Sequence, residues 1–247
     1  MVFDPLLESV NILSMLATAA LVILTAKPCR ASGVSYLLAI PAGFGLMTVA
    51  FAVQSILPTL IQELPQLGTP AEAVWLLTQT YGMLFIAFVY ARRTRVRLLG
   101  ESTSIDLLVA ALVTLVFLAV VVLTQTYGGL EAASTSGDLL LRVMIIGACA
   151  YLVYETFRNW AFTQKASQGI VTIGFAFFIV EQIGFILALG NLGSVAFFLA
   201  YEGRLMGLFV LNIILIVGVK KTDPIAIMRR LGLVAPVHSR PPELLSQ

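Results

Sequence analysis

"FFIVEQIGFIL", residues 177–187, sets Glu181 and Gln182 side by side in an otherwise apolar run. The run extends to about 168 and 190 without another charge. A helix rises 1.5 Å per residue, so about 20 such residues cross a 30 Å hydrocarbon core. Either this segment crosses a membrane with a carboxylate near its middle, or it is the core of a soluble fold.

Composition decides between these. The 247-residue chain is 59% hydrophobic and 11% charged, with a mean hydropathy of +0.98. Soluble domains are about a quarter charged, so a soluble fold is excluded. Seven apolar runs appear, at about 7–27, 34–57, 71–91, 104–124, 139–161, 168–190 and 198–219. Spanning segments must satisfy their own backbone hydrogen bonds, and runs of this length without alternating polarity do so as helices rather than barrel strands. The expectation is an all-α polytopic membrane protein. One seven-helix domain would occupy residues 1–222, and 223–247 would form a short surface helix and a flexible tail. The opening "MVFDPLLESV" has acidic residues where a signal peptide carries basic ones, so the first run reads as a retained helix.

Charge gives the orientation. If the seven runs alternate in direction, every Lys and Arg except Arg142 and Arg204 falls on one side, and most acidic residues fall on the other. By the positive-inside rule the N-terminus is outside, the C-terminus inside, and the protein sits in the cell membrane as a multi-pass chain. Arg92, Arg93, Arg95 and Arg97, in "ARRTRVR", form an inner basic surface that attracts anionic lipids or the acidic face of a membrane or cytoplasmic protein partner. Topology explains this charge without a nucleic acid. Trp75, Tyr127 and Trp160 are placed for an interfacial aromatic belt. In the tail, "TDPIAIMRRLGL" reads as an amphipathic helix on the inner surface, opened by Asp223 and Pro224 and stopped by Gly232.

The second and sixth runs echo each other, "GFGLMTVAFAVQSIL" against "GFAFFIVEQIGFIL", and the third and seventh both end in basic pairs. This suggests a 3+1+3 parallel repeat, with the uniformly apolar fourth run as connector. The layout is similar to that of microbial opsins, G-protein-coupled receptors and semi-SWEET-derived sugar transporters in architecture alone. There is no lysine midway along 197–219, no Asn-Pro-x-x-Tyr and no Pro-Gln pair.

Depth along each helix then selects candidate site residues. Glu181, Gln79 and Arg204 fall at similar levels in the outer half of the sixth, third and seventh runs. A carboxylate there is costly unless it pairs or stays protonated, so Glu181 is the leading ligand or proton site, with Arg204 and Gln79 beside it. Glu155 and Asn212 form a second, inner polar layer, although Glu155 also has Arg158 one turn away. The alternative for Gln79, Gln182, Asn212 and Glu155 is plain helix-to-helix hydrogen bonding.

Cofactor, metal and catalytic chemistry find no support. The only histidine is His238 in the tail, and Cys29 and Cys149 have no ligand spacing. Gly-x-Ser-x-Gly, His-Glu-x-x-His, paired intramembrane aspartates and a Gly-rich phosphate loop are all missing from the sequence. The chain therefore reads as a non-enzymatic sensor or receptor-like module, or an accessory subunit of a membrane complex. The alternative is a small-solute or proton-coupled transporter using Glu181.

Overall fold

The computed structural model describes residues 5–64, 68–99, 132–189 and 193–219. They form six long helices: α1 (Pro5–Ala31), α2 (Ala39–Glu63), α3 (Gly68–Leu99), α4 (Ala132–Thr163), α5 (Ala166–Leu189) and α6 (Gly193–Val219). A 3₁₀ turn, Ser35–Leu38, precedes α2, and the described residues contain no strand. All six helices are long and apolar enough to cross a membrane, as expected of a multi-pass membrane protein. The expected fourth run, 104–124, and the expected tail helix lie outside the described residues.

Several ends differ from expectation for local reasons. α1 runs on through Pro28 to Ala31, past the expected end at 27. α3 extends beyond 91 through "RRTRVRLL" because arginine and leucine are good helix formers and no glycine or proline intervenes before Gly100. Its length of about 48 Å exceeds the hydrocarbon thickness, so part of it stands clear of a bilayer. Pro41 lies inside the expected second run, 34–57, but does not interrupt it. It occupies the first turn of α2, where its missing N–H leaves no helical bond unmade.

The helices form a closed ring, each packed on its sequence neighbours, with α1 closing on α6. Contacts fix their directions. α3 is antiparallel to α5, since Gln79 meets Glu181 and Tyr90 meets Phe175. α4 is also antiparallel to α5, since Arg142 meets Gln182 and Thr156 meets Thr172. Hence α3 and α4 are parallel, although they are consecutive among the described helices. α1 and α6 are parallel too, through Arg204 to Asn11 and Asn212 to Ala17.

Glycines set the closest approaches. A Cβ on Gly43 of α2 would lie 2.6 Å from the Gly82 carbonyl oxygen of α3, and one on Gly207 of α6 would lie 2.9 Å from that of Gly174 on α5. Small residues of this kind let membrane helices gain contact area by bringing their backbones together. Aliphatic and aromatic side chains such as Leu21, Met47, Phe51, Met83, Ile145, and Phe178 fill the middle. The outside is the reverse of a soluble protein's. Phe162 is 83% exposed and Phe198 66%, whereas the largest fully buried side chain is that of Arg204.

Candidate functional site

Arg204 is the hub of the buried polar groups. Its Nε donates to Glu181 Oε1 at 2.7 Å, forming an ion pair in which both side chains are 0% exposed. Its Nη1 donates to Asn11 Oδ1 at 3.0 Å and to Gln54 Oε1 at 2.7 Å. Gln79 Nε2 donates to Glu181 Oε1 at 3.0 Å. One guanidinium and one carboxylate thereby connect α1, α2, α3, α5 and α6.

The backbone makes this reach short. A Cβ on Gly203 would come within 3.0 Å of the Glu181 backbone nitrogen, so α6 and α5 touch one residue before Arg204. Aromatic rings then close around the charge. The guanidinium carbon lies 4.5 Å from the Phe51 ring centroid, 5.2 Å from Tyr201 and 5.5 Å from Phe185. Such faces attract a desolvated cation. Gln54 Nε2 also donates to the Tyr201 hydroxyl at 3.5 Å.

α4 adds a second cation. Arg142 Nε donates to Asp138 at 3.0 Å, and its Nη1 donates to Gln182 Oε1 at 3.4 Å. Its guanidinium lies 4.5 Å from the Phe185 centroid and 5.5 Å from that of Trp75. Phe185 therefore stands between two guanidiniums, and two carboxylates balance them.

Five buried polar atoms of this cluster have no partner among the described residues: Trp75 Nε1, Glu181 Oε2, Gln79 Oε1, Gln182 Nε2 and Arg204 Nη2. Two are acceptors and three are donors. Buried polar atoms are normally satisfied, so these groups keep unused hydrogen-bonding capacity of both kinds. Among the described residues, no three His, Cys, Asp or Glu side chains come together as a metal site would need.

The structure thus brings Gln79, Glu181 and Arg204 into direct contact. The expected inner layer is differently arranged. Glu155 pairs with Arg158 at 2.8 Å along α4, while the Asn212 amide donates to the Ala17 and Leu208 carbonyl oxygens. Each is engaged by its own neighbours on separate helices. Of the expected basic surface, Arg92 lies 4.5 Å from the Tyr36 ring centroid and Arg93 is turned inward, only 8% exposed. Arg95 and Arg97 fall where the side chains are not described. Trp75, at the start of the α3 span, packs into the bundle against Phe185.

Sequence reasoning missed Asn11, Gln54, Tyr201 and Arg142. Asn11 and Gln54 carried a usable signal, as polar residues within the first two apolar runs. Arg142 looked like an outer-side charge at a helix start, yet it is 4% exposed. No family model matches the chain, and no curated protein or solved structure matches it, so the site's own geometry must carry the functional argument.

Proposed function

We propose that this chain is a non-enzymatic, seven-helix cell-membrane protein acting as a receptor-like module or an accessory subunit of a membrane complex. The observation that carries this reading is the Arg204–Glu181 pair, charge-matched and held by donors and acceptors from three further helices. That engagement accounts for a buried carboxylate by a structural role, tying α3, α5 and α6 together, without a transport cycle. In this reading a small polar ligand would engage some of the five unpartnered atoms beside it and redistribute hydrogen bonds among the helices.

The seventh crossing is supported by the parallel course of α3 and α4. Leu99 and Ala132 then lie at opposite ends of the bundle, and the chain between them contains the apolar run 104–124. The N-outside orientation is supported by Lys27, Arg30, Arg92, Arg158 and Lys165, which gather at one end of the ring. That end would face anionic lipid or a partner's acidic surface. The topology is testable with Cys29 and Cys149 replaced by serine. Ser102→Cys and Ser134→Cys should then react with an impermeant maleimide from opposite sides of sealed vesicles.

One set of contacts favours the transporter alternative. Gly43–Gly82 in the first three helices corresponds to Gly174–Gly207 in the last three. Gln79 and Arg204 each stand three residues before the second glycine, and each reaches into the other half, to Glu181 and Gln54 respectively. A cavity of about 10 Å³ is lined by matching pairs: Phe44 with Phe175, Ile86 with Leu211, Tyr90 with Leu215. These correspondences support a parallel repeat, whose interface is where transporters place substrate. Against it, Pro41 opens α2 and does not break it. The deciding experiment reconstitutes the protein alone in vesicles and follows internal pH under an imposed proton gradient. The proposed function expects no flux above empty vesicles. A flux abolished by Glu181→Gln would replace it with the transporter.

A further inference from the structure

Two residues before Arg204, on the same helix, stands Glu202. Successive helical residues are 100° apart, so the two side chains leave α6 on nearly opposite sides. Arg204 points into the ring and is fully buried, whereas Glu202 is exposed on the outer face. Its neighbours there are Phe198, Leu199, Met206 and Phe209, all exposed and apolar. Glu202 has no hydrogen bond or ion pair among the described residues.

Depth makes this unusual. The apolar span of α6 is Val195–Val217, which puts Glu202 about 10 Å inside its outer end. Lysine and arginine escape such positions by reaching along the helix to the headgroups, but a carboxylate on two methylenes is too short. A charge-bearing residue facing lipid at that depth is rare, and the usual resolution is a partner of opposite sign.

Two occupants from this chain fit badly. A second copy joined about a twofold axis would set Glu202 against Glu202, like charge on like. Residues 104–124 contain no lysine or arginine, and they join α3 to α4, whereas α6 sits between α5 and α1. The basic residues after α6 begin at Lys220, beyond the opposite end of the helix.

We propose that Glu202 is the docking point for a transmembrane helix of another protein that carries a lysine or arginine at matching depth. The apolar stripe around it supplies packing area, and the carboxylate fixes register and selects the partner, as interhelical polar groups do in membranes. This names the partner class for the accessory-subunit reading and rests on it. It does not depend on the Arg204 cluster, and its test reads helix association alone, so it and the vesicle flux experiment can fail separately.

The test uses the full chain, fluorescently labelled, in phosphatidylcholine vesicles. The probe is a synthetic leucine–alanine transmembrane peptide with one lysine placed about 10 Å below its outer end, matching the depth of Glu202. Energy transfer reports binding, and a peptide with leucine at that position is the control. The lysine peptide should bind about tenfold more tightly than the leucine peptide. Glu202→Gln should bring the ratio to about one, and Glu202→Lys should shift the preference to a peptide carrying glutamate. Because Glu202 lies outside the packed core, both variants should unfold at the wild-type temperature. Equal binding of the lysine and leucine peptides by the wild-type chain would overturn the proposal. So would Glu202-dependent association of the chain with itself in the absence of peptide, which would make the stripe a self-contact.

Discussion

The molecule contains two Arg–Glu pairs of nearly equal length that do different work. Arg204 and Glu181 meet at 2.7 Å across two helices, both wholly buried. Arg158 and Glu155 meet at 2.8 Å within one helix, and the Arg158 side chain is 34% exposed. The first pair specifies which helices are neighbours, since its groups also engage α1, α2 and α3. The second lies within one turn of α4. Distance alone therefore says little about an ion pair in a membrane protein. What matters is whether the pair spans separate elements, and whether water or headgroups can replace a lost partner.

The sharpest way to break this contrast is Arg204→Leu. It removes three cross-helix hydrogen bonds and leaves Glu181 in the bundle without its cation. Losing one member of a buried pair costs about 3–5 kcal/mol in soluble proteins. A loss of that order is expected in detergent-induced unfolding followed by circular dichroism. The double variant Arg204→Leu with Glu181→Leu should be less destabilised than Arg204→Leu alone, by about 2 kcal/mol, because no uncompensated charge remains. If the double variant is the less stable of the two, the pair itself, and not its neutrality, stabilises the ring.

These residues also mark how far the sequence could be read. Apolar run length is a property of consecutive residues, so the six spans were legible, and depth counted along each run put Gln79, Glu181 and Arg204 on one level. Azimuth was harder, because these helices are apolar nearly all round and offer no strong polar stripe to orient. That is why Arg142 was assigned to the surface and Asn11 and Gln54 were passed over. The direction a side chain takes depends on which glycines let neighbouring backbones approach. That is a pairwise property, visible only once Gly203 is found against Glu181 and Gly184 against Ala200.

Those approaches give the next prediction. A Cβ on Gly184 would lie 2.6 Å from the Ala200 backbone nitrogen, so Gly184→Ala must push α5 and α6 apart beside the Arg204–Glu181 pair. Overpacking of this kind costs about 1–3 kcal/mol. Gly147 of α4 has nothing within 4 Å of its added Cβ. There, Gly147→Ala should be neutral or stabilising by up to about 1 kcal/mol through helix propensity. The two substitutions are chemically identical, so opposite signs in the same unfolding assay would isolate helix contact as the cause.

The smallest effect is expected at the other ion pair. Arg158→Gln removes the charge but keeps a side chain able to donate to Glu155 along the same turn. With Arg158 a third exposed, screening and solvent compete with the pair, and exposed pairs are worth about 0–1 kcal/mol. The unfolding midpoint should move little, and raising salt should move the wild type no more than the variant. A loss comparable to that of Arg204→Leu would mean that Glu155 depends on Arg158 as Glu181 depends on Arg204. The C-terminal end of α4 would then be a second cross-linked site, and the distinction between a pair that builds the ring and one that decorates a helix would fail.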